Sequence, residues 1–349
     1  MKTAFQREIE RQGEALRRMV VFYRNEGRQL LGQWKRILKR AHGNLIFTGM
    51  GTSFYTPLVI KSLLASEGVL ATIFEAGELL NYELDVVHKD DLVVLISQSG
   101  ESIETCKVAE NLRGLCKSVA IVNDEASRLP SCADLVLHLK AGDETSITNR
   151  TYTNTLGLLN MMGVVALSQD LEKEMNSLVN ASYHMDSFLH SRAEEITLAE
   201  QLLKDATTLH FLSRGPALVG AYQGALTFME GARMTASAMP CGSFRHGPFE
   251  LVGEEHHAIV YIPSSPPGRS VTRMVSEMAQ KGSHIVAFSA SSERIENPHV
   301  LEIVFLNVED RQLPIAAATA QELLLDRIAS RRGLTCGVFR HIAKVTRVE

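Results

Sequence analysis

The sequence of 349 residues contains no apolar run long enough to cross a lipid bilayer, which takes about 20 residues. Its longest apolar stretch, residues 156–167, is interrupted by two glycines and an asparagine. Residues 1–14 carry charges where a signal peptide needs an apolar segment. We therefore expect no contact with a membrane.

The sequence also lacks an excess of basic residues. There are 36 lysines and arginines against 40 aspartates and glutamates, which gives a net charge of −4 at pH 7 with histidine neutral. Nucleic-acid-binding proteins typically carry a basic patch. We therefore expect no nucleic-acid partner.

Cysteine is scarce. The five cysteines show no CxxC spacing, and no pair of histidines has the spacing of metal ligands. An odd number of cysteines without a disulfide framework is typical of reduced thiols inside the cell. We predict a cytoplasmic protein with no metal ion and no cofactor.

What the sequence does contain is a duplicated pattern of apolar strands. Three strands of the first half have counterparts in the second half at an offset of about 165 residues. Strands of a parallel sheet that are buried on both faces show such short apolar runs. We predict the fold class α/β, with two tandem doubly wound, flavodoxin-like domains that have parallel sheets and flanking helices. The paired segments are 45–51 with 209–215, 92–96 with 258–262, and 119–122 with 285–288.

The same pattern predicts the domain boundaries. Helical periodicity indicates a lead before the first repeat and a linker between the repeats, and a tail follows the second repeat. The predicted ranges are 1–42 for the helical lead, 43–168 for the first domain, 169–206 for the helical linker, 207–332 for the second domain and 333–349 for the carboxyl-terminal tail.

A polar turn follows the apolar segment 92–96. It contains Ser97, Gln98, Ser99 and Ser102, and the residues after it have helical spacing. Hydroxyl groups and free N–H groups at a helix N-terminus suit an anion, most often a phosphate. The alternative is that Ser99 or Ser102 only caps the helix.

The second half offers a different chemistry. Its copy of the polar turn, residues 263–268, contains three prolines, which lack N–H donors. Glu230 lies in an apolar helical segment, where partial burial raises the pKa of a carboxyl group and suits it to proton transfer near neutral pH. The alternative is a surface glutamate paired with Arg233 three residues later.

A histidine, His246, lies in the segment GSFRHGP, whose glycines and proline predict a tight turn with the imidazole at its apex. Histidine titrates close to cellular pH and therefore suits proton transfer. The alternative is a loop histidine that satisfies a local carbonyl group. His256 and His257, at the start of a strand, are expected to be solvated edge residues.

The SQSGES turn, the duplication and the GSFRHGP segment together resemble the tandem SIS (sugar isomerase) domain family. Within it, the sequence resembles the isomerase half of glucosamine-6-phosphate synthase and the fructosamine-6-phosphate deglycases. Residues 5–12 and 342–349 resemble the first helix and the tail of that synthase half.

The resemblance implies a site for a hexose 6-phosphate in a homodimer. Glu230 is implied to move a proton, His246 to open the sugar ring or act as an acid in the neighbouring subunit's site, and Lys344 to close over the sugar. The residues implied to hold the phosphate and the sugar are Thr52, Ser53, Ser97, Gln98, Ser99, Ser102 and Thr148.

The sequence departs from the synthase at Gln223, where the synthase has a second carboxylate, and at Thr227, where it has a lysine. We expect no glutaminase domain and therefore no release of ammonia from glutamine. We expect a deglycase that cleaves an amine-linked hexose 6-phosphate of the fructosamine or glucosamine type. Gln223, Thr227 and Arg233 are candidates for contacts with the amine part.

Two alternatives stay open. One is an aldose–ketose isomerase or an ammonia-dependent deaminase of glucosamine 6-phosphate. The other belongs to a different class, a phosphosugar sensor without catalysis.

Overall fold

The structure is a computed structural model that describes residues 2–341, 343 and 344. This part of the chain contains ten strands and fifteen α-helices. The strands are β1 (Leu45–Gly49), β2 (Ala71–Glu75), β3 (Leu92–Ile96), β4 (Lys117–Val122), β5 (Leu135–His138), β6 (Thr208–Ser213), β7 (Thr235–Pro240), β8 (His257–Ile262), β9 (His284–Ser289) and β10 (Val300–Val304). The helices are α1 (Ala4–Ile9), α2 (Gln12–Arg24), α3 (Arg28–Arg40), α4 (Thr52–Tyr55), α5 (Leu58–Ser66), α6 (Ala76–Glu78), α7 (Ile103–Leu112), α8 (Arg150–Ala166), α9 (Leu171–His190), α10 (Ala193–Leu202), α11 (Leu218–Gly231), α12 (Cys241–Arg245), α13 (Gly268–Gln280), α14 (Leu313–Ala316) and α15 (Ala318–Arg331).

The strands form two parallel sheets of the same topology. The first sheet has the order β2-β1-β3-β4-β5, and the second has the order β7-β6-β8-β9-β10. Every described pair of neighbouring strands is parallel. This is the flavodoxin-like order of a doubly wound α/β domain. The predicted fold class, with two tandem doubly wound domains, is confirmed.

The middle strand of each sheet, β3 or β8, is buried along its whole length, which explains why these strands are apolar on both faces. All residues of β3 and of β8 are buried. On one face of β3, Val93 and Leu95 pack in the same core as Val108 and Leu112 of α7. This packing fixes both ends of the turn that joins β3 to α7.

The chain divides into two compact units. The first unit holds the first sheet and comprises residues 14–144 and 150–176 with the described residues from 340 to 344. The second unit holds the second sheet and comprises residues up to 13, 145–149 and 177–339. The domain boundaries stated above stay a prediction. In the described ranges, no helix is long and apolar enough to span a membrane.

Candidate functional site

The turn between β3 and α7, residues 97–102, is anchored by backbone hydrogen bonds. The N–H of Ser97 donates to the carbonyl of Ile121 at 3.0 Å. The N–H of Leu129 donates to the carbonyl of Gly100, also at 3.0 Å. These bonds hold the turn at the carboxyl end of β3, the edge where open α/β sheets bind their ligands.

The serine hydroxyl groups of this turn bond within the turn. Oγ of Ser97 lies 3.4 Å from Oγ of Ser102 and accepts a hydrogen bond from the N–H of Gly100 at 3.1 Å. Oγ of Ser99 accepts from the N–H of Glu101 at 3.1 Å. Ser102 immediately precedes α7, but its side chain makes no capping hydrogen bond. The capping alternative is therefore wrong, and the first turn of α7 has no side-chain cap on its N–H groups.

Gly100 determines the shape of the turn. Its backbone is left-handed, with φ of 65°, and an added Cβ would overlap Oγ of Ser127 and lie 2.7 Å from its Cβ. Ser127 is itself held, because its Oγ donates to the carbonyl of Asp124 at 2.6 Å. Only glycine fits this position without a displacement.

A second turn, α4, lies beside the first. In the pairing of β1 with β3, Gly49 is opposite Ile96. A Cβ atom at Gly49 would lie 2.7 Å from the carbonyl oxygen of Ile96 and 2.7 Å from Cβ of Ser53. The missing side chain lets α4 approach the end of β3, so half-buried Thr52 and Ser53 lie next to the turn at residues 97–102.

Lys344 also belongs to the first unit. Its Nζ donates to Oε1 of Glu144 at 2.9 Å, and the Glu144 side chain is fully buried. Glu144 also accepts hydrogen bonds from Thr151 at the start of α8. No sequence motif marks Glu144, which sequence reasoning missed. Residues 342 and 345–349 of the predicted tail lie outside the described residues.

In the second unit, Glu230 is half-buried near the end of α11. A Cβ at the adjacent Gly231 would lie 2.7 Å from Sγ of Cys336. Burial raises the pKa of the Cys336 thiol, and nearby negative charges that include Glu230 raise it further. The helix ends at Gly231, and Arg233 follows with a left-handed backbone, φ 48°. Arg233 thus lies beyond the end of the helix and outside the regular i, i+3 spacing.

Gln223 lies two turns before Glu230 on the same face of α11. Its Nε2 donates to the carbonyl of Thr148 at 3.3 Å, which places half-buried Thr148 beside this helix. Oγ1 of Thr227 donates to the carbonyl of Gln223 at 2.9 Å. The Thr227 hydroxyl is thus used within the helix.

The segment that carries Thr148 is fixed by a buried carboxylate, Glu8 of α1. Glu8 accepts from the N–H of Thr145 at 2.6 Å and from Nδ2 of Asn149 at 3.4 Å. It also accepts from the hydroxyl of Ser146. Glu8 lies 137 residues before Thr145, so no local pattern in the sequence reveals this contact.

His246 follows α12 at a tight turn, as predicted. Gly247, the next residue, has φ of 123°. His246 is exposed, whereas Phe244 is buried and packs the loop against the core. The backbone N–H of His246 donates to the carbonyl of Ser243 at 3.1 Å. Among the described residues, neither ring nitrogen of His246 has a hydrogen-bond partner. The imidazole therefore does not satisfy a local carbonyl.

An open depression of about 630 Å³ lies beside this histidine. Its walls are Arg214, Pro240, Gly242, Ser243 and His246. Arg214 is exposed, and no ion pair of Arg214 is found in the part of the chain that the structure describes. Burial raises the pKa of Cys241 to about 12, although the positive charge of Arg214 opposes this shift. Sequence reasoning missed Arg214, which lies far from the GSFRHGP segment in the chain.

The second copy of the phosphate-type turn is filled from within the protein. Oδ1 of Asp310 accepts from the N–H groups of Ser264 and Ser265, at 2.8 and 3.1 Å. The hydroxyl groups of both serines also donate to the Asp310 carboxylate. The turn holds an anion despite its prolines, and that anion is the chain's own side chain.

The prediction that His256 and His257 are solvated is wrong, because both are only 6% exposed. Nδ1 of His256 lies 3.0 Å from Oγ of Ser283, and Nε2 lies 3.1 Å from Nδ1 of His210. Burial, followed by the charges of His210 and His257, lowers the pKa of His256 to about 4. The start of β8 lies inside the sheet, where its side chains lose contact with water. Within the described ranges, no group of three or more His, Cys, Asp or Glu residues could hold a metal ion.

The chain is similar to a known domain family and to longer enzymes. The family model described as SIS domain matches residues 37–165. Glutamine–fructose-6-phosphate aminotransferase (isomerizing) of Pyrobaculum aerophilum is 29% identical over 314 residues, which cover 88% of this chain and 52% of that protein. The protein of the same name from Pseudomonas putida is 28% identical over 325 residues, which cover 88% of this chain and 52% of that protein. The chain thus spans about half the length of these curated relatives.

Solved structures show the same fold. The C-terminal domain of glucosamine-fructose-6-phosphate aminotransferase from Francisella tularensis superposes with a TM-score of 0.87 at 22% identity, covering 97% of this chain and 98% of that one. Tagatose-6-phosphate ketose/aldose isomerase from Escherichia coli gives 0.82 at 18% identity, covering 98% and 97%. Glucosamine-6-phosphate deaminase from Thermotoga maritima gives 0.72 at 17% identity, covering 98% and 99%. The SIS domain model thus matches the part of the chain that holds the first sheet, and the second sheet repeats the strand order of the first.

Proposed function

We propose that this protein binds a hexose 6-phosphate through the turn at residues 97–102 and the neighbouring Thr52 and Ser53. The contrast between the two copies of the turn carries this proposal. In the second unit the Asp310 carboxylate accepts hydrogen bonds from the donors of the turn. In the first unit the serine hydroxyl groups make hydrogen bonds to groups of the turn itself. The uncapped N-terminus of α7 adds the partial positive charge that favours a phosphate. The relatives named after phosphosugar reactions support the same ligand.

The proposed reaction is the cleavage of an open-chain ketoamine 6-phosphate, in which an amine on C1 adjoins a carbonyl at C2. Glu230 removes a proton from C1 while the C2 oxygen gains one, which gives an enaminol. Glu230 then delivers the proton to C2, the C2 hydroxyl remains and the C1–N bond becomes a protonated imine. Water adds to C1 and releases a proton. The C1–N bond breaks as the new C1 hydroxyl loses its proton to form the aldehyde, and His246 protonates the departing amine. The products are a free amine and an aldose 6-phosphate, and Lys344 contacts the sugar during the reaction.

Arg214 favours an amino acid as the departing amine. It is an exposed cation beside His246, in a depression of about 630 Å³ with the Ser243 hydroxyl in its wall. A guanidinium group binds a carboxylate in a planar, bidentate manner. An amine that carries a carboxylate matches this pair of groups, whereas ammonia offers nothing for Arg214 to bind. This observation supports a deglycase over a deaminase.

A second candidate is an aldose–ketose isomerase or an ammonia-dependent deaminase of glucosamine 6-phosphate. The names of two similar structures, a ketose/aldose isomerase and a glucosamine-6-phosphate deaminase, favour it. The same proton transfer by Glu230 serves that chemistry, because all these reactions exchange a proton between C1 and C2. A sensor without catalysis has no use for Glu230 and an exposed His246.

A substrate panel tests these proposals. The purified protein is offered fructoselysine 6-phosphate, glucosamine 6-phosphate and fructose 6-phosphate in parallel, and mass spectrometry measures both products of each reaction. We expect free lysine and a hexose 6-phosphate from the first substrate. Free ammonia from the second, or an aldose from the third, with no lysine from the first would favour the second candidate. Binding without any product would favour a sensor.

We also propose a homodimer in which His246 serves the neighbouring subunit. The exposed imidazole, which has no partner for its ring nitrogens among the described residues, supports this arrangement. Because a twofold dimer has two equivalent sites, mixed dimers of Glu230→Gln and His246→Asn chains would contain one intact site. Each variant alone would contain none.

A further inference from the structure

A buried carboxylate lies between the start of α8 and the tail lysine. Oε2 of Glu144 accepts from the N–H of Thr151 at 3.0 Å, and Oε1 accepts from Oγ1 of Thr151 at 2.8 Å. The same Oε1 accepts from Nζ of Lys344 at 2.9 Å. The Glu144 side chain has no exposure to solvent, and that of Lys344 is 16% exposed. A carboxylate removed from water in this way requires hydrogen bonds and a counter-charge.

We propose that Glu144 is a positioning residue that holds the Lys344 ammonium group, and with it this part of the tail, at the start of α8. The inference rests on the proposed role of Lys344 at the sugar. Thr151, at the start of α8, donates hydrogen bonds to both oxygens of the Glu144 carboxylate. The carboxylate therefore has a fixed position, at which Lys344 binds. Removal of Lys344 would take one hydrogen bond and one positive charge away from this buried carboxylate.

Most residues of α8 are buried, which gives the carboxylate a rigid support. The buried run extends from Arg150 to Val164 without a break. The position of Lys344 is thereby set by the core of the first unit, although Lys344 itself belongs to no helix or strand. Such support from a rigid element is what a reactive or binding side chain requires for a defined geometry.

Lysine acetylation by a low dose of acetic anhydride, read by peptide mass spectrometry, tests this inference without turnover. Lys61 and Lys281 are exposed and serve as references within the same sample. In the wild type, Lys344 is expected to react more slowly than both references. Glu144→Gln keeps the size of the side chain but removes the charge, and we expect it to raise the acetylation rate of Lys344 about tenfold relative to Lys61, as for the loss of one hydrogen bond to a charged group.

Thr151→Val is the matched control, because it removes a hydrogen bond to Glu144 but leaves the carboxylate and Lys344 in place. It should change the acetylation of Lys344 far less than Glu144→Gln. If Glu144→Gln does not fold, Glu144→Asp retracts the carboxylate by one methylene and should give an intermediate rate. Equal rates for Lys344 in the wild type and in a folded Glu144 variant would overturn the inference.

Turnover separates this inference from the proposed function. If acetylation behaves as expected but Lys344→Met keeps the wild-type kcat, Glu144 holds the lysine and the proposed role of Lys344 is wrong. If Lys344→Met abolishes turnover while acetylation does not respond to Glu144 variants, the role of Lys344 stands and Glu144 does not position it. Slow acetylation relieved by Glu144→Gln, together with a lower kcat in that variant, supports both.

Discussion

Substitution of Gly100 by alanine tests the phosphate-binding turn at its most constrained point. The new Cβ would overlap Oγ of Ser127 and lie 2.7 Å from its Cβ, in a residue with φ of 65°. The left-handed backbone costs an alanine about 1–2 kcal/mol, and the overlap adds about 1–3 kcal/mol. We expect Gly100→Ala to reduce the free energy of unfolding by about 2–5 kcal/mol. Because the serine donors shift with the backbone, we also expect the affinity for fructose 6-phosphate to fall at least about tenfold.

Gly114, just beyond the other end of α7, offers a matched control. Its φ is 79°, but an added Cβ would meet no atom within 4 Å. Gly114→Ala should therefore lose only the backbone contribution, about 1–2 kcal/mol, and should bind the phosphosugar normally. Urea unfolding followed by circular dichroism and isothermal titration calorimetry measure the two effects. Equal destabilisation by the two substitutions, or normal binding by Gly100→Ala, would refute the reasoning.

Three further outcomes are expected. The pKa of His256 is lowered to about 4, from about 6.5 in the unfolded chain, so its contribution to stability is fully present above pH 6.5 and falls by about 3 kcal/mol as the pH drops to 4. Urea unfolding of His256→Gln should therefore show a free energy of unfolding that depends less on pH, and an unchanged pH dependence would contradict the assignment. Asp310→Ala leaves the N–H groups of Ser264 and Ser265 without their anion. Inorganic phosphate should therefore raise the melting temperature of this variant more than that of the wild type, and equal shifts in the two proteins would show that the turn does not favour anions. In the proposed homodimer, a mixture of refolded Glu230→Gln and His246→Asn chains should recover about a quarter of the wild-type sites, because half of the dimers are mixed and each has one intact site; no recovery would contradict the proposal that His246 serves the neighbouring subunit.

The central strands of both sheets could be predicted from sequence, because burial on both faces makes them continuous apolar runs. The edge strands could not. β2 is largely half-buried, and β7 and β10 each have only one fully buried residue, so their composition resembles that of loops. An edge strand has a neighbouring strand on one side only, and its other side contacts solvent or side chains. Fewer of its residues therefore need to be apolar.

The residues of the candidate site likewise include some that could be predicted from the sequence and some that could not. The turn at Ser97 and the loop at His246 were predictable because their geometry depends on adjacent residues, above all on glycines with positive φ. Glu144, Glu8 and Arg214 were not predictable, since each acts through residues brought near by the fold. The burial of His256 was predicted wrongly, because histidine carries no sequence signal that separates a buried strand start from a solvated one.

Measurement of kcat and of phosphosugar affinity in Glu230→Gln tests the proposed chemistry most directly. Fructoselysine 6-phosphate is the substrate, product formation is followed by mass spectrometry, and affinity is measured by calorimetry with fructose 6-phosphate. If Glu230 moves the proton between C1 and C2, kcat should fall about 10²–10⁴-fold while the dissociation constant stays within about twofold of the wild type. Wild-type turnover in Glu230→Gln, or a loss of binding as large as the loss of turnover, would contradict a role for Glu230 in proton transfer.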